Sequence, residues 1–356
     1  MLTFHIEKNV FDFIIPAGTS RGVLNHKSSW FVKVYKPKDP IPGLGECSVI
    51  PGLSPDFISD EDYEKRILKL CKILSDFEFD DLLWCFENQF DDQFLESFFQ
   101  ENPSIRFGFE IALLDLKNGS RGIYFRNDFV NGKIRIPING LIWMGNEDFM
   151  KSQINDKLKM GFTTLKMKVG AIDFNTEIGI LKFIRQEYNS ENITLRVDAN
   201  GAFNNGNVYE KLLALSELNI HSIEQPIMPG NIELMKNLCL DRIVPIALDE
   251  ELIGVHEFAQ KISLLTILKP QYIILKPSLH GGIKGSKEWI TVAEQLGISW
   301  WITSALESNV GLSALCQFVA EYKTSLPQGL GTGSLYSNNR DSHLHVSEGY
   351  IMNGHF

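Results

Sequence analysis

Hydrophobic and polar positions alternate regularly in the last two thirds of the chain. From residue 134, short apolar runs alternate with segments that repeat apolar residues every three or four positions. The short runs are typical of buried strands, and the longer segments are typical of amphipathic helices. The strand candidates are, in chain order, IRIPINGLIW, FTTLKMKVG, ITLRVDAN, HSIEQPI, IVPIALDE, YIILKPS, SWWITSALES and SLPQGLGTG. Eight such strands with helical crossovers predict a (β/α)8 barrel or a close variant of it.

The first third of the chain lacks this alternation. Apolar and aromatic runs at residues 11–15 and 30–34 are joined by a turn-rich segment, which predicts an antiparallel strand pair with a long, mobile connection. Residues 57–118 repeat apolar positions at helical spacing, and the last helical run ends in Asn-Gly. This part therefore predicts an α+β domain that differs in architecture from the barrel.

The chain thus divides into two predicted domains and a tail. We expect the α+β domain to cover residues 1–130 and the barrel domain to cover residues 131–333. Residues 334–356 form a tail that is longer than the end of a simple barrel requires. We expect this tail to return to the N-terminal domain.

Composition and charge exclude several classes of function. The 356 residues include 34 Lys and Arg against 44 Asp and Glu, so the net charge is −10. This acidic balance argues against nucleic acid or a membrane surface as a partner, and no apolar stretch is long enough for a transmembrane helix. The start of the chain does not resemble a signal peptide. Five scattered cysteines without a CxxC motif predict a reduced, cytoplasmic protein with no thiolate zinc site.

Charged residues alternate with apolar ones on two of the predicted strands. Lys166 and Lys168 share one face of FTTLKMKV, while Arg196, Asp198 and Asn200 share one face of ITLRVDAN. The opposite face of each strand is apolar and suits packing against the outer helices, so the charged faces should point into the barrel. Charges that point inward are costly unless they form a site.

Five successive strands end in a charged residue. These residues follow one another at intervals of 25 to 30 positions, about one βα unit each. They are Lys168, Asp198, Glu224, Asp249 and Lys276. Because parallel strands of a barrel end at the same rim, we expect all five at the C-terminal rim, where barrel enzymes build their sites.

Three of these residues are carboxylates on neighbouring strands, and they would repel one another without a cation. Oxygen ligands suit a hard divalent ion, so Asp198, Glu224 and Asp249 are candidate ligands for Mg²⁺. The metal would stabilise the enediolate that forms when a proton leaves the carbon next to a bound carboxylate. Lys168 and Lys276 would then lie on opposite faces of that substrate and are the candidate catalytic residues.

The motifs RVDAN, IEQP and ALDE, together with the KxK pair and Lys276, are jointly specific. With them the chain resembles the enolase superfamily, and within it the muconate lactonizing enzyme subgroup. The resemblance implies a modified (β/α)7β barrel with an N-terminal α+β capping domain. It also implies Mg²⁺ at the three carboxylates, with Mn²⁺ as a substitute.

Three further segments narrow the resemblance: TSRGVL (19–24), SALESNVGL (304–312) and PQGLGTG (327–333). They are similar to those of subgroup members that dehydrate 2-succinyl-6-hydroxy-2,4-cyclohexadiene-1-carboxylate to o-succinylbenzoate in menaquinone biosynthesis. The resemblance implies a hydro-lyase with a small carboxylate substrate, in which Lys168 moves the proton and Lys276 stays cationic. The alternatives are an N-acylamino acid racemase or dipeptide epimerase, and an inactive binding protein on this scaffold.

Two departures weigh against other members of the superfamily. The seventh strand offers no histidine, which disfavours a mandelate racemase arrangement. The eighth strand reads QGLGTG and lacks the Asp-x-Asp with which dipeptide epimerases hold a substrate ammonium. The sequence leaves open whether the protein forms a homo-oligomer.

Several residues are predicted to support the site. By resemblance, Pro16–Leu24 forms a lid over the substrate, and Arg21 offers charge to a second carboxylate. Ser304 and Glu307 contact the substrate or cap the chain locally, and the backbone at Gly329 and Gly331 can approach an anion. Lys166 is expected to support Lys168, and Asn200 and Arg196 are expected next to the site. Glu250 and Glu251 are predicted to be solvated charges.

Overall fold

The structure is a computed structural model, and it describes residues 1–19 and 22–354 of the chain. The predicted lid residue Arg21 lies outside the described residues. The N-terminal part holds an antiparallel sheet of order β1-β2-β3 followed by four helices. The strands are β1 (Thr3–Thr19), β2 (Gly22–Tyr35) and β3 (Gly43–Ser48). The helices are α1 (Asp60–Leu74), α2 (Phe79–Glu87), α3 (Gln93–Glu101) and α4 (Pro103–Lys117).

The first hairpin is longer than the sequence indicates. The predicted length of the connection was wrong, because β1 and β2 pair as far as Thr19 and Gly22, with a register shift between Asp12 and Ala17. The extra residues at this shift are on β1, and there β1 hydrogen-bonds to the tail. The amide of Ile14 donates to the carbonyl of Leu335 at 2.9 Å.

A close approach between β3 and α4 explains two glycines in a strand. A Cβ atom on Gly45 would lie 1.9 Å from the carbonyl oxygen of Gly108, and one on Gly43 would lie 2.2 Å from that of Ala112. Glycine is depleted in strands, so the sequence did not indicate β3. Here its missing side chain lets the helix backbone pack directly on the sheet.

Replacing Gly45 with alanine should therefore destabilise the protein. The added methyl group has no space, and overpacking of this kind costs about 1–3 kcal/mol. The exposed helical Gly179 is the matched control, because a Cβ there meets nothing within 4 Å and alanine should add about 0.4–1 kcal/mol of stability. Urea unfolding measures both changes. A Gly45→Ala variant as stable as the wild type would contradict the close approach.

The rest of the chain alternates strands with helices. Its strands are β4 (Ile136–Pro137), β5 (Gly140–Ile142), β6 (Thr164–Lys168), β7 (Thr194–Asp198), β8 (Ser222–Glu224), β9 (Ile246–Leu248), β10 (Tyr272–Leu275), β11 (Ser299–Ile302), β12 (Leu344–Ser347) and β13 (Tyr350–Asn353). Its helices are α5 (Glu147–Lys159), α6 (Phe174–Glu187), α7 (Val208–Ser216), α8 (Ile232–Asp241), α9 (Phe258–Leu268), α10 (Gly282–Gln295) and α11 (Asn309–Val319). A 3-10 turn, Glu250–Leu252, follows β9.

Strands β5 to β11 form one parallel sheet in chain order, and an eighth segment closes it into a barrel. Gln328 bridges to Ile138 beside β5, and Gly329 bridges to Thr303 after β11. In the described chain this eighth segment leads into the tail instead of a helix. The fold is therefore the predicted (β/α)7β barrel with an α+β cap.

The tail contacts both parts of the molecule. The ring of Tyr336 packs against Phe11 and Phe13 of β1, with centroid distances of 5.1 and 4.8 Å. Farther along, β12 and β13 form a hairpin that pairs with β4 at the start of the barrel. The domain limits at residues 130 and 333 stay predictions.

The barrel strands have an apolar outer face and a polar inner face, as the alternation predicts. Leu165 and Val197, for example, are 0% exposed and belong to the core between strands and helices. On the inner face, Arg196 is buried with its guanidinium 3.9 Å from the ring centre of Trp301. Burial lowers the pKa of Arg196 to about 10. Among the described helices, none is both long and apolar enough to cross a membrane.

Candidate active site

The structure brings the five charged strand ends together. Lys168, Asp198 and Glu224 lie in register at the ends of β6, β7 and β8. Asp249 and Lys276 are the residues that follow β9 and β10. These five strands are neighbours in the sheet, so the residues line one continuous arc of the C-terminal rim.

The two candidate catalytic lysines stand on opposite sides of the barrel. Three strands separate β6 from β10 in a ring of eight, so Lys168 and Lys276 face each other. Asp198, Glu224 and Asp249 lie on the strands between them. A planar group seated above the carboxylates would therefore present one face to each ammonium group.

Ion pairs connect the lysines to the carboxylates. Lys166 ion-pairs with Glu224, and its Nζ is 3.1 Å from Oδ2 of Asp198. Lys168 Nζ donates to the same Oδ2 atom at 2.9 Å. Lys276 ion-pairs with Asp249 and is 3.9 Å from Oε1 of Glu224. Each of Lys166 and Lys276 thus bridges two neighbouring carboxylates.

Burial and charge act on the protonation of this cluster. Burial alone would lower the pKa of Lys276, but the carboxylates of Asp249 and Glu224 outweigh it and raise that pKa, so Lys276 stays cationic at neutral pH. Burial would raise the pKa of Asp198, but the neighbouring lysines hold it well below its usual range. Burial and the nearby Asp198 raise the pKa of Glu224, because two adjacent carboxylates resist full ionisation.

The donor set is suited to a hard divalent cation. Oδ1 of Asp249 and Oε1 of Glu224 are buried and accept no hydrogen bond from the described residues. Buried acceptors without a donor are what an oxygen-binding cation would satisfy. Within residues 1–19 and 22–354, however, no three acidic, histidine or cysteine side chains gather as a ligand group. The ammonium groups of Lys166 and Lys276 lie against these carboxylates.

A hydrogen-bonded chain leads away from Lys168. Its Nζ donates to Oδ1 of Asn200 at 2.6 Å, and Nδ2 of Asn200 donates to Oε1 of Glu250 at 3.0 Å. Asn200 is therefore in the supporting position that the sequence indicates. The prediction that Glu250 is a solvated charge was wrong, since it is only 8% exposed.

A cavity of about 180 Å³ opens above the charged cluster. Lys166, Lys168, Asp198, Asn200 and Lys276 form its charged end. Its apolar wall includes Val23, Leu24, Ile50, Leu141, Trp143 and Leu306. The described part of the predicted lid thus contributes to the cavity through Val23 and Leu24.

The remaining predicted residues divide between the cavity and the protein interior. Ser304, Gly329 and Gly331 line the cavity. Glu307 does not contact it, because its carboxylate is fully buried and accepts hydrogen bonds from the hydroxyl groups of Ser304 and Ser278, both at 2.6 Å. Of the two alternatives for Glu307, the structure favours local hydrogen bonding.

Comparisons with known proteins agree with this arrangement. Residues 150–354 match the family model described as enolase C-terminal domain-like. The chain is also 44% identical to o-succinylbenzoate synthase from Desulfotalea psychrophila, over 94% of this chain and 95% of that protein. This chain belongs to the enolase superfamily. Its predicted fold class and family are therefore confirmed.

Solved structures also superpose on nearly the whole chain. MenC from Desulfotalea psychrophila LSv54 has a TM-score of 0.85 and 40% identity, over 99% of both chains. A dipeptide epimerase from Enterococcus faecalis, crystallised with Mg and the dipeptide L-Leu-L-Tyr, has a TM-score of 0.83 over 99% of this chain and 97% of that one. At 19% identity, the second likeness concerns the fold alone.

Two residues in this enolase-superfamily site were not predicted. Gln225, in IEQP, accepts hydrogen bonds from the amides of Asp249 and Glu251 at 3.3 and 3.1 Å. Its side chain also donates to Glu251 at 3.0 Å, and Glu251 is 7% exposed, so the prediction of a solvated charge there was wrong as well. Gln225 fixes the turn that presents Asp249. A glutamine directly after a strand-ending glutamate was the available signal.

His280 is the second unpredicted residue. Its Nδ1 accepts a hydrogen bond from the backbone amide of Lys276 at 2.9 Å. Burial, together with the charges of Lys276 and Lys261, lowers the pKa of His280 to about 3, so the ring is neutral at neutral pH. The sequence placed no histidine near the site, because the contact depends on the tight turn after β10.

Proposed function

We propose that this protein is a Mg²⁺-dependent hydro-lyase that converts 2-succinyl-6-hydroxy-2,4-cyclohexadiene-1-carboxylate to o-succinylbenzoate in menaquinone biosynthesis. The observation that carries the proposal is the pair of ammonium groups, Lys168 and Lys276, on opposite sides of three rim carboxylates. The Desulfotalea psychrophila relative, which covers nearly the whole chain, supports the choice of reaction.

The cavity offers a place for each end of a substrate with two carboxylates. The ring carboxylate belongs at the charged end, where Asp198, Glu224 and Asp249 would hold Mg²⁺. When bound, Mg²⁺ supplies positive charge to that carboxylate, and the neighbouring carbon becomes a stronger acid. The succinyl carboxylate belongs near Gly331 and the hydroxyl groups of Thr303 and Thr332, which are buried without a hydrogen-bond partner among the described residues.

Lys168 is the base in the proposed mechanism. In its neutral form it removes the proton from the carbon next to the ring carboxylate, while Asp198 and Asn200 hold its Nζ in place. The same group then returns the proton to the leaving hydroxyl, so that the C–O bond breaks and water departs from the same face. The ring becomes aromatic, which drives the elimination.

Lys276 supplies charge in this mechanism and moves no proton. Its ion pair with Asp249 and its raised pKa keep it protonated. From the opposite face it stabilises the negative charge that spreads over the ring and carboxylate. His280 holds the backbone of Lys276 and thereby fixes where that charge lies.

Assays with two substrates on one purified sample test the proposal. With Mg²⁺, we expect rapid dehydration of the cyclohexadiene carboxylate, and we expect Mn²⁺ to replace Mg²⁺. N-succinyl amino acids of both hands, incubated in D₂O, measure racemase activity, because a racemase must exchange the α-proton from either face. Strong, symmetric exchange without any dehydration would identify the protein as a racemase instead. A cytoplasmic location stays a prediction, and whether the protein forms a homo-oligomer stays open.

A further inference from the structure

A buried polar junction connects the capping sheet to the turn after β11. It consists of Lys27 on β2, Glu46 on β3 and Glu307 in the turn, and we call it the Lys27 junction. Lys27 is 1% exposed, and both carboxylates are 0% exposed. The mechanism uses none of the three residues. Burying one cation and two carboxylates is costly, so the junction requires an explanation.

The ammonium group of Lys27 anchors the wall of the substrate cavity. Its Nζ donates to the backbone carbonyl of Leu306 at 2.8 Å and also hydrogen-bonds to Ser48. Leu306 has a left-handed backbone with φ of 62°, which is strained for a branched side chain. The hydroxyl of Tyr336 donates to the same carbonyl at 2.6 Å. Two donors from outside the barrel thus hold a strained residue that lines the cavity.

The carboxylates of the junction fix the residues on either side of Leu306. Glu307 accepts from Ser304, which lines the cavity, and from Ser278, which lies two residues after Lys276. Glu46 accepts from the backbone amides of Ser308 and Gly311, both at 2.9 Å, and so caps the N-terminus of α11. The turn from Ser304 to Ser308 is therefore held to the cap at several points.

Lys27 also lies close to the other wall of the cavity. It is three residues beyond Leu24, which lines the cavity from the first hairpin. A single ammonium group thus connects the hairpin wall to the Leu306 wall. Because both walls depend on this contact, its loss should widen the cavity without moving Lys168 or Lys276.

We infer that Lys27 is a positioning residue for substrate binding, which holds Leu306 and the hairpin at their spacing through its hydrogen bond to the Leu306 carbonyl. The inference uses the proposed dehydration for its kinetic assay. Lys27→Met removes the ammonium and keeps the length of the side chain. We expect KM to rise about tenfold, as for the loss of one charge-assisted hydrogen bond, with kcat within about threefold of the wild type.

Two further variants separate positioning from stability. Lys27→Met removes the positive charge that interacts electrostatically with the buried carboxylates of Glu46 and Glu307, so it should lower Tm. Combining it with Glu307→Gln removes one of those charges and should restore much of the Tm, while KM stays raised because the Leu306 carbonyl still lacks its ammonium donor and keeps only the Tyr336 hydroxyl. Tyr336→Phe removes the other donor and no charge, so it should raise KM about threefold with little change in Tm.

The control is Lys33→Met, on the same strand, where the ammonium is half-exposed and pairs with Glu7 at 2.7 Å. It should leave KM unchanged. A KM within twofold of the wild type in Lys27→Met, or a KM that recovers together with Tm in the double variant, would overturn the inference.

A measurement that needs no substrate makes this test independent of the proposed reaction. Amide hydrogen exchange of the peptide from Ser304 to Ser308 should speed up in Lys27→Met and stay unchanged in Lys33→Met. Exchange at the wild-type rate in Lys27→Met would contradict the anchoring role, whatever the substrate is. A wild-type protein that fails to dehydrate the cyclohexadiene carboxylate would contradict only the proposed function.

Discussion

Lys168→Ala is expected to lower kcat for dehydration by about 10²–10⁴-fold, the contribution typical of a positioned general base. In the proposed mechanism the amine of Lys168 removes the proton in its neutral form, and the resulting ammonium group returns it. Its Nζ lies between Asp198 and Asn200, and Lys276 stands across the barrel. Lys166 lines the same side of the cavity, but its ion pairs with Glu224 and Asp198 outweigh burial and raise its pKa, so it stays protonated and does not replace the base. Steady-state rates of o-succinylbenzoate formation measure the loss.

The proton step itself distinguishes this variant from a damaged fold. Lys168→Ala should also fail to exchange the substrate α-proton in D₂O, while it retains affinity for Mg²⁺ because Asp198, Glu224 and Asp249 remain. The exposed Lys182 on α6, the helix that follows β6, is the matched control, and its alanine variant should be fully active. A Lys168→Ala enzyme that kept a tenth of the wild-type rate would contradict the assignment of Lys168 as the base.

The strands of the barrel were the most predictable part of the molecule. Side chains alternate across a strand, so Lys166 and Lys168 had to share a face, and the apolar face could only pack against helices. Parallel strands end at the same rim, so equal spacing along the chain placed Asp198 and Glu224 side by side. These are local and topological rules, and they need no knowledge of tertiary contacts. They predict the barrel, whereas the confirmed family was predicted from the resemblance that the motifs RVDAN, IEQP and ALDE carry.

The parts that were not predicted depend on contacts distant in sequence. Strand β3 packs closely on α4 because its glycines leave space for the helix backbone. The eighth barrel segment is held by single bridges to Ile138 and Thr303. Secondary-structure propensity and hydrophobic periodicity carry no information about such contacts. The tail, which pairs with β4 and also packs on β1, is another case.

Prediction of the candidate active site from the sequence has the same limit. Its strand-end residues were predictable, but their partners were not. Glu251 is buried because Gln225 and the amide of Gly230 bind it, and a run of acidic residues in sequence otherwise indicates a solvated surface. Glu307 turns into the interior because two serines, one of them on a different strand connection, donate to it. Such pairings are set by the packed structure.

Glu224→Gln is expected to weaken Mg²⁺ binding by at least about 100-fold. Loss of a group that only orients a metal ligand lowers metal affinity by about 10–100-fold, and loss of the ligand itself should lower it by at least as much. Glu224 ends β8, which lies between the strands that carry Asp198 and Asp249. Its carboxylate is therefore adjacent to both of the other predicted ligands. Isothermal titration with Mg²⁺ measures the change, and dehydration should fall with it.

The fold should survive Glu224→Gln, because Lys166 keeps Asp198 as its partner at 3.1 Å and Lys276 keeps Asp249. Circular dichroism checks this. The matched control is Glu177→Gln, since Glu177 is an equally buried carboxylate that lies on helix α6 and accepts from the amide of Gly170 at 2.7 Å. Its Mg²⁺ affinity should equal that of the wild type. If Glu224→Gln bound Mg²⁺ as tightly as the wild type, the three rim carboxylates would not be the metal ligands, and the ion pairs with Lys166 and Lys276 would be their whole function.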